Sequence, residues 1–490
     1  MPIPEWAKAH QRKGTEIKQI RGHYYLYERK GVWNKVKKRS EKATGAYLGK
    51  VTPEGVIPPK KRIDGLPVLS IEYGASTFLY TLGTDILSVL EDSLGKPDGQ
   101  AVFALSVMRT ISPCPFSRAA DRYVGSQISR LLPGLALSPA SITSLLDRVG
   151  ANRISCARAM RTLAGPAPYI LADGTRCASA SEGMDKAVPG HSKTHGYLPQ
   201  INQVYVLSAD ASGGFMPSFY RNVAGNIPDV AAFRLTVEDA GIKNAVVVAD
   251  AGFASTDNFK MLKKSGLDYV VPLKRNTAEV DLSNLCFQTV FSYNGRAISA
   301  TCVQRAGYDV HVFRDESMRA QEMSDLVVRV EKANAAAEEK RDFDPRQDLR
   351  DAGCEAAARA EKFGVIVIRT SLVGRTPSEI YTTYKTRWQI EQFFDTMKNG
   401  CGADASYMHD DVGFEAWSFI NHVMMLLACR LLALLRDKGL SKDWSLSGVM
   451  DYLSRVNLVH VADQWRMAET TDKTKKLLNK LGIELEDIPT

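Results

Sequence analysis

The chain lacks any paired-cysteine spacing. Its eight cysteines, Cys114, Cys156, Cys177, Cys286, Cys302, Cys354, Cys401 and Cys429, are scattered, with no Cys-x-x-Cys pair and no nearby His-x-x-x-His. That pattern argues against a disulfide framework and against a structural zinc site, and it fits a reducing cytoplasm. The N-terminus reads Met-Pro-Ile-Pro-Glu without an apolar signal segment, so no secretory leader is expected. A phosphate-binding Gly-x-x-x-x-Gly-Lys-Ser/Thr loop is also missing, which excludes ATP-driven chemistry of that kind. The longest apolar stretch, Phe414 to Leu435, is interrupted by Glu415, Asn421, His422 and Arg430. Those interruptions predict a buried core helix rather than a membrane span, and no membrane partner is expected. No internal repeat is visible.

What is present is a long chain of ordinary composition with an uneven charge. At 490 residues, 44% hydrophobic and 24% charged, it has the size of roughly three globular domains. The net charge is +8. Residues 1–65 hold 16 Lys and Arg against 6 Asp and Glu, a surplus of +10, and the remaining 425 residues hold 47 against 49, or −2. A basic leading segment on a near-neutral body points to a polyanionic partner, nucleic acid first, although a solubilising basic leader has the same composition.

The pattern along the chain divides it into six segments. Residues 1–65 alternate in short β-type runs such as His23 to Tyr27 and Ala46 to Val51, with aromatics among cations, and predict a small basic β-rich module for DNA contact. Residues 66–165 are helical by their three-to-four apolar spacing, with Ser138-Pro139 as one helix start, and form either a DNA-binding unit or plain helical packing. From 166 to 276 strands alternate with helices: Tyr169 to Ala172, a hairpin of Gln203 to Ala209 and Phe215 to Tyr220 around Ser212-Gly213-Gly214, Ala245 to Ala249, a helix near Ser255 to Lys264, and Asp268 to Leu273. This is α/β grammar. Residues 277–362 break the rhythm with strand-like pieces and then an Ala/Glu/Lys/Arg-rich run, and predict a β-rich insertion. Residues 363–411 resume the α/β domain from Val365, and 412–490 predict a helical C-terminal region.

The chemistry concentrates on one predicted helix. Thr376-Pro377-Ser378-Glu379 combines a capping-box Thr, a first-turn Pro and a Glu at the third position. Beyond it come Tyr384, Arg387, Glu391 and Lys398, which on a continuous helix fall at roughly 0°, −60°, −20° and −40°, one narrow stripe. Ile390, Phe393, Phe394 and Met397 take the other side and would pack it on a sheet. Asp173 and Asp250 each end an apolar strand in this reading, so three carboxylates, Asp173, Asp250 and Glu391, are expected to meet. An oxygen-only cluster suits Mg²⁺, with Mn²⁺ as a substitute, and two such ions about 4 Å apart suit phosphodiester displacement. Tyr384, Arg387 and Lys398 would serve the phosphates. Taken singly, each residue has a plainer reading: the aspartates as turn residues, Arg387 and Glu391 as an i,i+4 pair, Lys398 as a solvated cation.

The spacing Tyr384-x₂-Arg387-x₃-Glu391-x₆-Lys398 resembles the Y-R-E-K signature of bacterial insertion-sequence DDE transposases of the IS-four type. The resemblance takes in Asp173-Gly-Thr and Asp250-Ala-Gly-Phe and covers roughly Tyr169 to Arg430. It implies an RNase H-like catalytic domain in which Asp173, Asp250 and Glu391 hold two divalent ions. It also implies cleavage at terminal inverted repeats, joining of the freed 3′ ends to target DNA, and Tyr384, Arg387 and Lys398 on phosphates. Some relatives hold a flipped base with tryptophans, which offers Trp388 for stacking as an alternative to helix packing.

Further expectations follow. Lys274 and Arg275, closing a predicted strand, are candidates for DNA contact. His195 reads as a loop histidine rather than a ligand. Double-stranded DNA is the expected partner, handled by a homodimer in the DNA complex, in the cytoplasm of a bacterium and on its nucleoid when bound. Two other classes share these residues: a transposase-derived DNA-binding protein that no longer cuts, and a metal-dependent nuclease without strand transfer.

Overall fold

The computed structural model describes residues 3–34, 37–59, 69–165, 167–179, 181–189, 199–210, 212–227, 229–283, 285–338, 361–403, 405–461 and 464–483. His195 lies outside them. The chain forms two compact units, Met1–Leu69 with Val461–Gln464, and Ser70–His460 with Trp465–Thr490.

The first unit is built on an antiparallel sheet of β1 (Thr15–Ile20), β2 (His23–Asn34), β3 (Arg39–Thr52) and β4 (Gly55–Ile57), in sequence order. Ile20 pairs with His23, so Arg21-Gly22 is a two-residue turn, and both residues have positive φ (49° and 80°), as a primed hairpin turn requires. Alternation buries Ile17, Leu26 and Val51 together with Ala7. The opposite positions carry exposed cations, including Lys18 and Lys42, and Lys18 lies 5.7 Å from the Tyr27 ring.

In the second unit the first long elements are helices: α1 (Gly74–Leu82), α2 (Thr84–Leu94), α3 (Lys96–Ile111), α4 (Pro139–Ala151) and α5 (Arg153–Ala164). Ser138 caps α4 by accepting from the Ser141 amide at 3.2 Å, with Pro139 in the first turn. Next comes a ten-stranded mixed sheet. Its members are β5 (Tyr169–Ala178), β6 (Pro199–Ala209), β7 (Phe215–Ala224), β8 (Val246–Ala249), β9 (Asp268–Leu273), β10 (Thr289–Tyr293), β11 (Arg296–Arg305), β12 (Tyr308–Asp315), β13 (Val365–Thr370) and a two-residue piece, Val188–Pro189, on β6. The spatial order is β10-β11-β12-β13-β9-β8-β5-β6-β7. β5, β8 and β9 run parallel, whereas β5-β6-β7 on one side and β9-β13-β12-β11-β10 on the other are antiparallel. Helices α6 (Asp229–Ala240) and α7 (Thr256–Lys264) connect the parallel strands, α7 capped by Ser255 on the Asn258 amide at 3.1 Å.

The architecture is therefore mixed α/β with a sheet-rich core. Two segments hold more than their sequence pattern shows. In the 277–362 segment β10, β11 and β12 extend the central sheet, and β13 lies between β12 and β9. The segment also contains a 23-residue helix, α8 (Glu316–Glu338). In the C-terminal region, two short strands, Asn457–Val461 and Gln464–Met467, accompany the helices.

Helix α11 (Asp411–Asp437), which follows α9 (Pro377–Lys385) and α10 (Trp388–Asp395), is long and apolar enough to cross a membrane by length and composition, and its most apolar window is 78% buried inside the protein. Three of its four polar interruptions, and Ser418 besides, have partners there. Ser418 accepts from Gln203 and Asn222 at 3.1 and 3.0 Å, Asn421 accepts from Arg109 at 3.0 Å, Glu415 pairs with Lys186 at 3.0 Å, and Arg430 with Asp85 at 2.6 Å. A lipid-facing helix would leave such groups unsatisfied; here they lock α11 between α3, β6 and β7.

Candidate active site

The central strand pair brings two aspartates side by side. β8 pairs in parallel with β5 from Val246↔Tyr169 to Ala249↔Ala172, and Asp250 and Asp173 come next on the two chains. Contrary to the sequence expectation, β5 does not end at Asp173; it runs on to Ala178 because β6 continues to pair with it, Asp173↔Tyr205 through Ala178↔Gln200. What ends at Asp173 is the pairing to β8. One oxygen of each aspartate is held by the following amide, Asp173 Oδ1 by Gly174 and Asp250 Oδ1 by Ala251, both at 2.8 Å. The second oxygens are left to face a common partner.

That partner comes from the capped segment. The Thr376 hydroxyl accepts from the Glu379 amide at 3.3 Å and the Glu379 carboxylate accepts from the Thr376 amide at 2.9 Å, a complete capping box. The helix is not continuous, however. α9 ends at Lys385, Arg387 donates its amide to Tyr384 O and Ile390 to Arg387 O in i→i+3 fashion, and the buried Thr386 hydroxyl donates to Thr383 O at 2.7 Å. The chain thus tightens by a turn before α10, and past Asp395 it widens into a π-helical turn, Thr396–Gly400. The single stripe expected on a 100° wheel is consequently broken in two places: Tyr384, Arg387 and Glu391 remain together, while half-buried Lys398 sits in the π turn, where that wheel no longer applies.

Ile390, Phe393 and Met397 are fully buried as expected, and Phe393 and Phe394 approach Tyr205 of β6 at 5.0 and 6.1 Å between centroids. This packing fixes α10 over the strand that pairs with β5. Arg387 then reaches all three carboxylates: Nη2 donates to Asp173 Oδ2 at 3.1 Å and lies 3.6 Å from Asp250 Oδ2, and Nη1 donates to Glu391 Oε1 at 2.8 Å. The plain i,i+4 pair of Arg387 and Glu391 exists, but the same guanidinium also spans to two strands. Burial pulls the Arg387 pKa down, and Asp173, Asp250, Tyr384 and Glu391 outweigh it, so the net shift is upward. Burial raises the Tyr384 hydroxyl; Arg387 offsets part of this, while Asp250 and Glu391 add to it.

Three carboxylates that converge on one cation form an oxygen-only donor set, which fits a hard divalent ion. Residues 170–427 match the family model of the transposase DDE domain, just over half of the chain. The chain belongs to the transposase DDE-domain family. It is therefore a transposase, a metal-dependent enzyme that cleaves DNA. No curated protein matches it. A cryo-EM structure of a piggyBac transposase synaptic complex with hairpin DNA is similar at 11% sequence identity and a TM-score of 0.40, over 77% of this chain and 79% of that one.

Other residues of this DDE transposase fall as follows. Trp388 is 46% exposed and lines a 640 Å³ cavity with Glu391, Phe215, Leu432, Arg436 and Trp444. Sequence reading passed over Phe215, Arg436 and Trp444, which lie far apart in the chain and carry no local motif. Lys274 is exposed. Arg275 has an intramolecular partner, donating to both carboxylate oxygens of Glu322 on α8 at 2.9 and 2.6 Å. Lys385 was also missed: half-buried beside Tyr384, it lies 5.0 Å from the Tyr381 ring.

Proposed function

We propose that this transposase is of the IS-four, Y-R-E-K type, with an RNase H-like catalytic core of β5 to β9 in which Asp173, Asp250 and Glu391 are the catalytic carboxylates. The observation that carries the reading is the convergence of all three on the Arg387 guanidinium, from two strands and a helix far apart in sequence. The strand order β7-β6-β5-β8-β9, antiparallel then parallel, supports the core assignment.

Asp173, Asp250 and Glu391 would hold two Mg²⁺ ions, or Mn²⁺ in their place, and the ions would supply activation of the attacking hydroxyl and neutralisation of the leaving oxygen. The chain's own residues do the remainder. The amides of Gly174 and Ala251 orient the two aspartates through one oxygen each. Phe393 and Ile390 hold Glu391 in place by burial beneath it. Arg387, Tyr384 and Lys398 bind backbone phosphates near the element end, and Trp388 contacts DNA at the mouth of the adjoining cavity. Hydrolysis at the terminal inverted repeats frees 3′ hydroxyls. In strand transfer each hydroxyl attacks a target phosphodiester, and one 3′ oxygen replaces another at phosphorus. The basic sheet β1 to β4 binds DNA through counterion release, a homodimer handles the two ends together, and the work is done in the bacterial cytoplasm on nucleoid DNA.

The test is incubation of the purified protein with Mg²⁺ and DNA carrying the inverted repeats that flank its gene, comparing wild type with Glu391→Gln. Wild type is expected to cut and join, and the variant to bind without cutting. Equal cutting by both overturns the catalytic assignment. Binding by wild type without cutting makes the chain a DNA-binding derivative, and cutting without joining makes it a nuclease.

A further inference from the structure

Away from the carboxylates, the extended sheet assembles a second set of donor groups. Cys302 on β11 lies directly opposite His311 on β12, and Asp309 is two residues from His311, on the same face of β12. One donor atom from each of the three lies within 4.8 Å of the others, and Cys302 Sγ is 3.7 Å from His311 Nε2. Asp309 and His311 are each 1% exposed, and Cys302 is half-buried. Among the described residues, neither Asp309 Oδ1 nor His311 Nδ1 has a hydrogen-bond partner. A buried carboxylate oxygen left unpartnered beside a thiol and an imidazole bears a desolvation penalty with nothing returned, and a cation bound among the three groups would remove it.

We propose that Cys302, Asp309 and His311 form a Zn²⁺ site, with the half-exposed side at Cys302 open to a water as fourth ligand. Thiolate, imidazole and carboxylate together are the donor set of zinc; the sulfur disfavours Mg²⁺, so the site is chemically separate from the Asp173, Asp250 and Glu391 cluster. Its role is positional. The other oxygen of Asp309, Oδ2, accepts from the amide of Gly374 at 2.9 Å. Gly374 has φ +80°, a conformation that favours glycine, and lies two residues before the Thr376 cap of α9. The ion would therefore tie the β11-β12 hairpin to the turn that launches the Tyr384 and Arg387 segment. The order Cys-x₆-Asp-x-His has no zinc-motif spacing, which explains why sequence reading set zinc aside.

The test uses full-length protein stripped with a chelator and titrated with Co²⁺ as a spectroscopic stand-in. Wild type and a triple variant of the other site (Asp173→Asn, Asp250→Asn, Glu391→Gln) should each show a thiolate-to-cobalt charge-transfer band and tetrahedral visible bands. Cys302→Ser should lose the charge-transfer band and bind Zn²⁺ more than about 100-fold more weakly, beyond the loss usual for outer-shell partners. As a measurement that needs no variant, Zn²⁺ should protect Cys302 of the wild type from alkylation, located by peptide mapping. Absence of the band in wild type, its persistence in Cys302→Ser, or equal alkylation of Cys302 with and without Zn²⁺ overturns the proposal.

Discussion

Arg387 donates through Nη2 to Asp173 Oδ2 at 3.1 Å across 214 residues of sequence, the same guanidinium that holds Glu391 one helical turn away. The contact joins a central strand to the helix beside it, and makes one protein cation the common neighbour of three acids that would otherwise repel each other.

Replacing Arg387 should therefore separate metal-free from metal-bound stability. Arg387→Gln leaves the acids facing one another, and in divalent-free buffer it should cost about 1–2 kcal/mol, below the range for a broken buried pair because the Asp250 and Glu391 side chains are 49% and 64% exposed. Mg²⁺ should raise the melting temperature of the variant more than that of wild type. Equal responses of the two proteins to Mg²⁺ would sink the idea.

The launch of α9 depends on its cap. Thr376→Ala removes one half of the capping box and should destabilise the protein by about 1 kcal/mol, whereas Thr376→Ser should retain most of the stability. Chemical denaturation of the three proteins compares them directly, and a Ser variant as weak as Ala would show that the hydroxyl is not the group that matters.

Gly150 offers a test in which helix propensity and packing point in opposite directions. In a helix interior Gly→Ala normally gains up to about 1 kcal/mol. On α4, however, an added Cβ would stand 1.9 Å from the Val412 carbonyl oxygen of α11, a backbone atom with no rotamer to escape into. Overpacking should win, with a loss of about 1–3 kcal/mol. A higher melting temperature for Gly150→Ala would refute the close approach of these two helices.

His422 sets a pH dependence. Burial, with a smaller contribution from Arg153, lowers its pKa from 6.5 to about 3, and neither ring nitrogen has a hydrogen-bond partner among the described residues. Between those two values the unfolded chain carries a proton that the folded one does not. This group's share of stability is then fully present above pH 6.5 and falls as pH drops toward 3, by at most about 1.4 kcal/mol per pH unit. His422→Phe, which keeps a ring against Tyr205 and Tyr220, should flatten the profile between about pH 5 and 6.5; an unchanged slope would mean that other groups produce it.

Much of this was local enough to be legible in the amino-acid order. The cap at Thr376, the apolar face of Ile390, Phe393 and Met397, the strand runs before Asp173 and Asp250, and the polar breaks that mark α11 as a core helix depend on neighbours within a few residues. The tightening at Thr386 and Arg387, where a buried hydroxyl bonds the Thr383 carbonyl, and the π turn at Thr396 were not legible, because neither is signalled by the intrinsic propensity of the residues there. Arg275 reads from the sequence as a candidate for DNA contact, and its pairing with Glu322, from a helix inside the inserted segment, is not legible there.

The sequence by itself determined which side chains are the candidates for the chemistry and the periodicity that puts Arg387 and Glu391 on one helical face, since both follow from spacing along a short stretch of backbone. Only the tertiary structure decided that Asp173 and Asp250 lie in register on adjacent parallel strands, that Arg387 reaches both, and that Cys302, Asp309 and His311 share one face of a hairpin. Those meetings depend on strand order and register, which are set by how distant segments bury their apolar faces together.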